Sequence, residues 1–202
     1  RPVIEGLRAA GEGAISIDTR KAAVAEAAVA AGADLVNDVA GLTFDPALAP
    51  FCAARGLPVC VMHAQGDPAT MQRDPRYEDV LLDVYDYLVE RIAALEAQCI
   101  PRANIIADPG IGFGKTLEHN LALLARLSLF HSLGVPILLG ASRKRFIGTI
   151  GGGAAGEDRA PGSIAVALAA LNHGVHVLRV HDVAQTIQSI LLYRSALAGK
   201  EI

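Results

Sequence analysis

Ile105-Ile106-Ala107-Asp108-Pro109-Gly110-Ile111-Gly112-Phe113-Gly114-Lys115-Thr116 shows in one stretch how this chain is organised. A short apolar run, β-branched at its start, reads as a buried strand. A carboxylate closes it, Pro-Gly breaks it, and a glycine-rich loop leads to helix-like sequence. The same order recurs five more times. Ala14-Ile15-Ser16-Ile17 ends in Asp18-Thr19, and Leu35-Val36 in Asn37-Asp38. Val59-Cys60-Val61-Met62 ends in His63, and Ile137-Leu138-Leu139-Gly140 in Ser142-Arg143-Lys144. Val177-Leu178-Arg179-Val180 ends in His181-Asp182.

Helical sequence separates these runs. Lys21 to Ala31 has small apolar residues at helical spacing, with Gly32 where a C′ glycine belongs. Asp45-Pro46 reads as an N-cap followed by proline in the first turn, and Gly56 ends that helix. Tyr77 to Gln98 sets Val80, Leu81, Val84, Leu88, Ile92 and Leu95 on one side. Ser163 to Ala170 and Asp182 to Ala198 follow the same logic, and Pro2 to Ala10 reads as the tail of a helix. Strands alternating with helices predict a parallel sheet with right-handed crossovers. Six units are countable, whereas a closed (β/α)8 barrel has eight and typically about 250 residues. The pattern therefore fits a barrel incomplete at its N-terminus or an open doubly wound sheet. Two long loops, Ala64 to Arg76 and Gly151 to Gly162, are expected to move.

The chain has 202 residues, 52% of them hydrophobic, which suits one domain with one sizeable core. A net charge of −3 gives no basic face for nucleic acid, so an anionic substrate needs a local cationic cluster. No apolar run is long enough to span a membrane. Cys52, Cys60 and Cys99 lack CxxC spacing, and three free thiols fit a reducing cytoplasm.

In α/β barrels the C-terminal ends of the strands face the active site. Here those ends supply Asp18, Asn37, His63, Asp108, Lys144, Arg179 and His181. Asp18, Asn37 and Asp108 can bond the donor–acceptor edge of a heterocycle, because a carboxylate accepts two N–H groups in one plane. Arg179 and His181, two apart on a strand, are expected to point the same way and hold a phosphate or diphosphate, with Lys144 adding a mobile charge. Singly, each has an ordinary explanation. Asp38 and Asp182 are expected to be helix caps, Asp18 serves equally well as one, Arg179 suits an ion pair, and His63 suits a structural histidine. Six strand ends of complementary chemistry favour a site. The Asp108–Thr116 stretch ends like a P-loop, but G-x-x-x-x-G-K-[ST] requires glycine where Pro109 stands, and proline has no N–H for a phosphate. Its glycines instead let backbone approach a flat ligand, with Phe113 as lid or stacking wall.

Ser16-Ile17-Asp18-Thr19, Asn37-Asp38, Val61-Met62-His63, Asp108 to Lys115, Gly140-Ala141-Ser142-Arg143-Lys144 and Arg179-Val180-His181-Asp182 resemble, in order and spacing, the motifs of dihydropteroate synthases. The resemblance implies a TIM-type (β/α)8 barrel that joins a dihydropterin diphosphate to para-aminobenzoate. It implies pterin contacts from Asp18, Asn37, Met62, Asp108 and Lys144, an anion site at Arg179 and His181, and a para-aminobenzoate region at Phe113, Ser142 and Arg143. There the start of the following helix would favour the carboxylate. Asp108, Lys144, Arg179 and His181 are the residues expected to carry catalysis. The family also implies Mg²⁺, a cytoplasmic homodimer through late helices, and a sulfonamide target. Its opening strand, Asn-x-Thr-x-Asp-Ser-Phe, supplies an Asn to the metal. Neither that segment nor the next strand's Ser-Thr-Arg-Pro turn occurs in this sequence. About six units are thus expected, with no metal ligand and with the first two units lying outside the given residues.

Chemically, diphosphate leaves the pterin methylene and the aromatic amine attacks it, with no covalent enzyme intermediate expected. A methyltetrahydrofolate-dependent methyltransferase would share the pterin contacts but has no need of Arg179, His181 or Ser142-Arg143-Lys144. A non-catalytic pterin-binding barrel is expected to have lost at least one strand-end group.

Overall fold

A computed structural model describes residues 1–11, 13–66, 71–153 and 155–201. They form two compact units. The first comprises Arg1–Ala64, Leu82–Gly110 and His131–Pro136, and the second Gln65–Leu81, Ile111–Phe130 and Ile137–Ile202.

The first unit is built on a parallel sheet in chain order: β1 (Ser16–Asp18), β2 (Leu35–Asp38), β3 (Val59–Met62) and β4 (Ile105–Asp108). Parallel neighbours need crossovers. Here α2 (Ala22–Ala30), α3 (Leu48–Arg55) and α4 (Val80–Ala97) supply them, after α1 (Pro2–Ala9). The expectation of uniformly buried strands holds for β3, buried at every position. It fails for β1, which pairs only with β2 among the described residues and exposes Ser16 and Asp18. Ile4 of α1 packs with Ala28 and Ala33, and Ile15 and Ile17 close that cluster.

Helix ends follow local chemistry. Gly32, at φ +112, ends α2 in a Schellman arrangement, its N–H donating to Val29 O (3.0 Å) and that of Ala33 to Ala28 O (2.9 Å). Asp45 does not start α3. Its Oδ2 accepts from Ala22 N (2.8 Å) and its Oδ1 from Ala47 N (3.0 Å), so it ties two segments together and the helix begins at Leu48. Gly56 ends α3 in the left-handed region, as expected. α4 starts at Val80 rather than Tyr77, because the Oδ1 of Asp79 accepts from Leu81 N (2.9 Å) as an N-cap. Val84, Leu88, Ile92 and Leu95 of α4 are buried, each worth about 1.5–3 kcal/mol relative to exposure.

The second unit holds a two-stranded parallel pair, β5 (Leu138–Leu139) and β6 (Val177–Leu178), with α5 (Leu117–Leu124), α6 (Arg145–Gly151), α7 (Ala160–Asn172) and α8 (Val183–Ala198). Both strands are shorter than their apolar runs. Ile137 N donates instead to the Nδ1 of His176 (3.1 Å), and Arg179 N donates to Leu139 O (3.0 Å) just past β6. Thr116 caps α5 through a reciprocal pair with His119. The segment read as a loop from Gly151 to Gly162 is shorter, since α6 runs through Gly151 and α7 starts at Ala160. Positions 154 and 67–70, which fall within the two expected loops, lie outside the described residues. Among the described residues, no helix is long and apolar enough to cross a membrane.

Candidate active site

Strand register fixes the pterin candidates of the first unit. Asp18 pairs with Asn37, Asn37 with Cys60, and Cys60 with Ile106. Two residues further along, Met62 pairs with Asp108. Side chains alternate with period two, so Asp18, Asn37, Met62 and Asp108 all project from one face of the sheet. Asp38 belongs to the opposite face and is fully buried. It caps no helix. Its Oδ1 accepts from Ala40 N and its Oδ2 from Leu42 N, both at 2.8 Å, closing the turn that follows Asn37. Burial pushes the Asp38 carboxyl above the ordinary carboxylate range, despite those two bonds. Burial also raises the neighbouring Cys52 thiol to about 11, which keeps it protonated and inert.

Asp108 is buried and held by its own turn, its Oδ1 accepting from Gly110 N at 2.7 Å. The turn admits only glycine. Gly110 has φ +69, and a Cβ there would lie 1.8 Å from His63 O. The backbone N of His63 donates to Asp108 O (3.0 Å), and its buried ring stands edge-on to Tyr87 at 4.9 Å. The backbone of His63 thus ties the ends of β3 and β4 together, and its ring packs against Tyr87.

The anion candidates of the second unit are arranged differently from expectation. β6 ends at Leu178, so Arg179 and His181 follow the strand rather than sharing its alternation, and both are exposed. Ser142 and Arg143 do not open a helix. α6 begins at Arg145, after a turn that places Arg143 at φ +58. The Oγ of Ser142 accepts from His181 N (3.2 Å) and lies 3.0 Å from its Nδ1. The Arg143 guanidinium forms a two-point pair with Asp182, whose carboxyl it holds below the usual range. Asp182 is therefore an ion-pair partner, and its side chain caps nothing.

Lys144 donates through Nζ to Ile111 O and stands 3.9 Å above the Phe113 ring, a cation–π contact. Lys144 also lines a cavity of about 450 Å³, together with Gly112, Lys115, Asn120 and Phe146. Lys115 is buried and donates to Phe113 O (3.1 Å), while Asn120 Oδ1 accepts from Gly112 N (2.6 Å). The apparent P-loop lysine thus braces its own loop. Lys115 and Asn120 went unread as wall residues. The signal available for them was a lysine and an asparagine five apart around the cap residue Thr116.

A parallel α/β fold with polar side chains gathered at and just beyond the C-terminal ends of its strands has the pattern of barrel-class enzymes. The chain belongs to the pterin-binding enzyme family, whose profile, described as "Pterin binding enzyme", matches residues 1–181. It is 42% identical over 200 residues to the dihydropteroate synthase of Escherichia coli (strain K12), covering 99% of this chain and 70% of that protein. It superposes on the Xanthomonas albilineans dihydropteroate synthase with 4-aminobenzoic acid at a TM-score of 0.91, with 43% identity, covering 98% of this chain and 70% of that one. Against the same organism's enzyme in complex with 7,8-dihydropteroate the TM-score is 0.90, again with 43% identity, covering 98% and 72%. The fold class is accordingly α/β of the TIM-barrel type, represented here by six strands among the described residues.

Proposed function

We propose that this chain carries the dihydropteroate synthase reaction, a transferase step of folate biosynthesis. The amine of para-aminobenzoate displaces diphosphate from 6-hydroxymethyl-7,8-dihydropterin diphosphate, giving 7,8-dihydropteroate. The bond between the pterin methylene and the diphosphate oxygen breaks, a carbon–nitrogen bond forms, and the amine loses a proton to solvent. The observation that carries the reading is the shared face of Asp18, Asn37, Met62 and Asp108, a flat array of acceptors and donors beside a soft apolar wall.

Asp108 takes two N–H groups of the pterin edge, Asn37 and Asp18 extend that contact, and Met62 packs on the ring. Holding the ring so that positive charge can develop at the methylene is their task. Arg179 and His181 stabilise the departing diphosphate, and Lys144 supplies a further positive charge to the pterin. Phe113, Arg143 and Ser142 belong to the para-aminobenzoate side of the reading. The Asp182 pair supports Arg143 as a brace of that side, and the contact of Ser142 with His181 links it to the diphosphate side. Mg²⁺ suits the diphosphate. Among the described residues no group of three or more His, Cys, Asp or Glu gathers to bind a metal.

A cytoplasmic homodimer belongs to the same reading. It is supported by the exposure of Ile187, Leu191, Leu192 and Leu197 on α8. The test of function is diphosphate release from the pterin substrate by the purified protein, with and without para-aminobenzoate. Release that ignores para-aminobenzoate would sink the assignment.

A further inference from the structure

His181, one of the candidate anion ligands, has a defined partner in Ser142. The Ser142 hydroxyl is buried and, among the described residues, has two hydrogen-bond contacts, both to His181. Its oxygen accepts the backbone N–H of His181, at 3.2 Å. Its one hydrogen then needs an acceptor, since a buried hydroxyl without one forfeits a hydrogen bond. Among the described residues the acceptor it meets is the Nδ1 of His181, 3.0 Å away. A neutral imidazole carries its single hydrogen on one nitrogen only. If Nδ1 accepts from Ser142, the hydrogen stands on Nε2.

We infer that Ser142 is a positioning residue for the diphosphate site: it fixes neutral His181 in the Nε2–H form and aims that N–H as a donor. In the cationic ring both nitrogens donate, the serine oxygen accepts from Nδ1, and Nε2 still presents its hydrogen. One hydroxyl, able both to donate and to accept, thus keeps the same outward donor in either state of the ring. Asp182, the next residue, is held by Arg143 through Nη2 (2.5 Å) and Nε (3.0 Å). Ser142 thus holds His181 by its ring and its backbone N–H, while Arg143 holds the side chain of the next residue.

The inference rests on the anion role of His181, and its test separates the two. Nitrogen-15 chemical shifts of labelled full-length protein at neutral pH read the tautomer directly, without activity. Wild type is expected to show His181 protonated at Nε2, and a neutral ring carrying its one hydrogen on Nδ1 would overturn the inference. Calorimetry with inorganic diphosphate then compares three variants. Ser142→Ala is expected to bind roughly tenfold more weakly, the scale of one hydrogen bond, and Ser142→Thr, which keeps the hydroxyl, to recover most of that loss. If His181→Ala weakens diphosphate while Ser142→Ala does not, the positioning role falls and the anion site stands. If His181→Ala has no effect, the anion role falls, and the inference with it.

Discussion

Arg143 and Asp182 form a two-point ion pair, Nη2 to Oδ1 at 2.5 Å and Nε to Oδ2 at 3.0 Å, that joins the turn after β5 to the start of α8. Asp182 is the acid of the pair, and the guanidinium lowers its pKa in the folded state. A depressed carboxyl contributes stability that is complete above its unfolded pKa of about 3.9 and is lost as pH falls through the folded value. Asp182→Asn removes that contribution. Melting curves recorded between neutral and strongly acidic pH should show the wild-type advantage over the variant shrinking only below the ordinary carboxylate range. A constant difference at every pH would mean that the pair is not stabilising through charge.

Asp108→Asn tests the pterin face. The amide oxygen can still accept from Gly110 N, so the turn and the fold should survive. The second acceptor becomes an NH₂ facing a ligand N–H, and leaving such buried groups unpaired costs about 1–3 kcal/mol each. Pterin binding should be nearly abolished while the melting temperature changes little. Unchanged pterin affinity by calorimetry would reduce Asp108 to the residue that closes its own turn.

Arg179→Ala tests the anion side. Arg179 is exposed and lies just past β6, so its removal should leave the strand pairing intact. Affinity for the diphosphate-bearing pterin should fall far more than affinity for the bare pterin. Equal losses for both ligands would show that Arg179 acts through structure.

The architecture was legible because buried parallel strands write themselves as apolar runs with polar ends. All six runs became strands, and Gly32 and Gly56 marked the helix ends they were expected to mark. The common face of the four pterin candidates was legible for the same reason. Period-two alternation and register put Asp18, Asn37, Met62 and Asp108 together once the strands were placed. What sequence could not supply was partner choice among polar groups. Asp45, Asp38 and Asp182 all look like caps in sequence. One bonds the backbone of Ala22, one closes a turn from the opposite face of the sheet, and one takes an arginine 39 residues away. Such contacts depend on tertiary placement, as does the burial of Lys115 behind its own loop.

Gly110→Ala should couple stability to the site. The added Cβ would meet the backbone carbonyl of His63, which cannot swing aside as a side chain could, and the left-handed φ of +69 strains any other residue by roughly 1–2 kcal/mol. The turn must shift, and with it the Gly110 N–H that holds Asp108. A lowered melting temperature together with weakened pterin binding is expected. An intact melting temperature would mean that the backbone of this loop yields more easily than the contact implies.

Asp38 should respond to pH with the opposite sign to Asp182. Burial raises its carboxyl in the folded state, so the folded protein holds that proton more tightly than the unfolded chain does. Stability then falls as pH rises from about 3.9, the ordinary unfolded value, through the raised folded value, and the penalty is constant above both. Asp38→Asn abolishes this titration. Its amide oxygen can still bond one of the two N–H groups, of Ala40 and Leu42, that the carboxylate accepts. Relative to this variant, the wild type should therefore lose ground as pH rises through the window just above the ordinary carboxylate value. The turn concerned follows Asn37 directly, so pterin affinity measured over the same range should report any loosening of it. A wild-type advantage that grows with pH would reverse the sign of the argument, showing that the two backbone N–H bonds outweigh the cost of burying the charge.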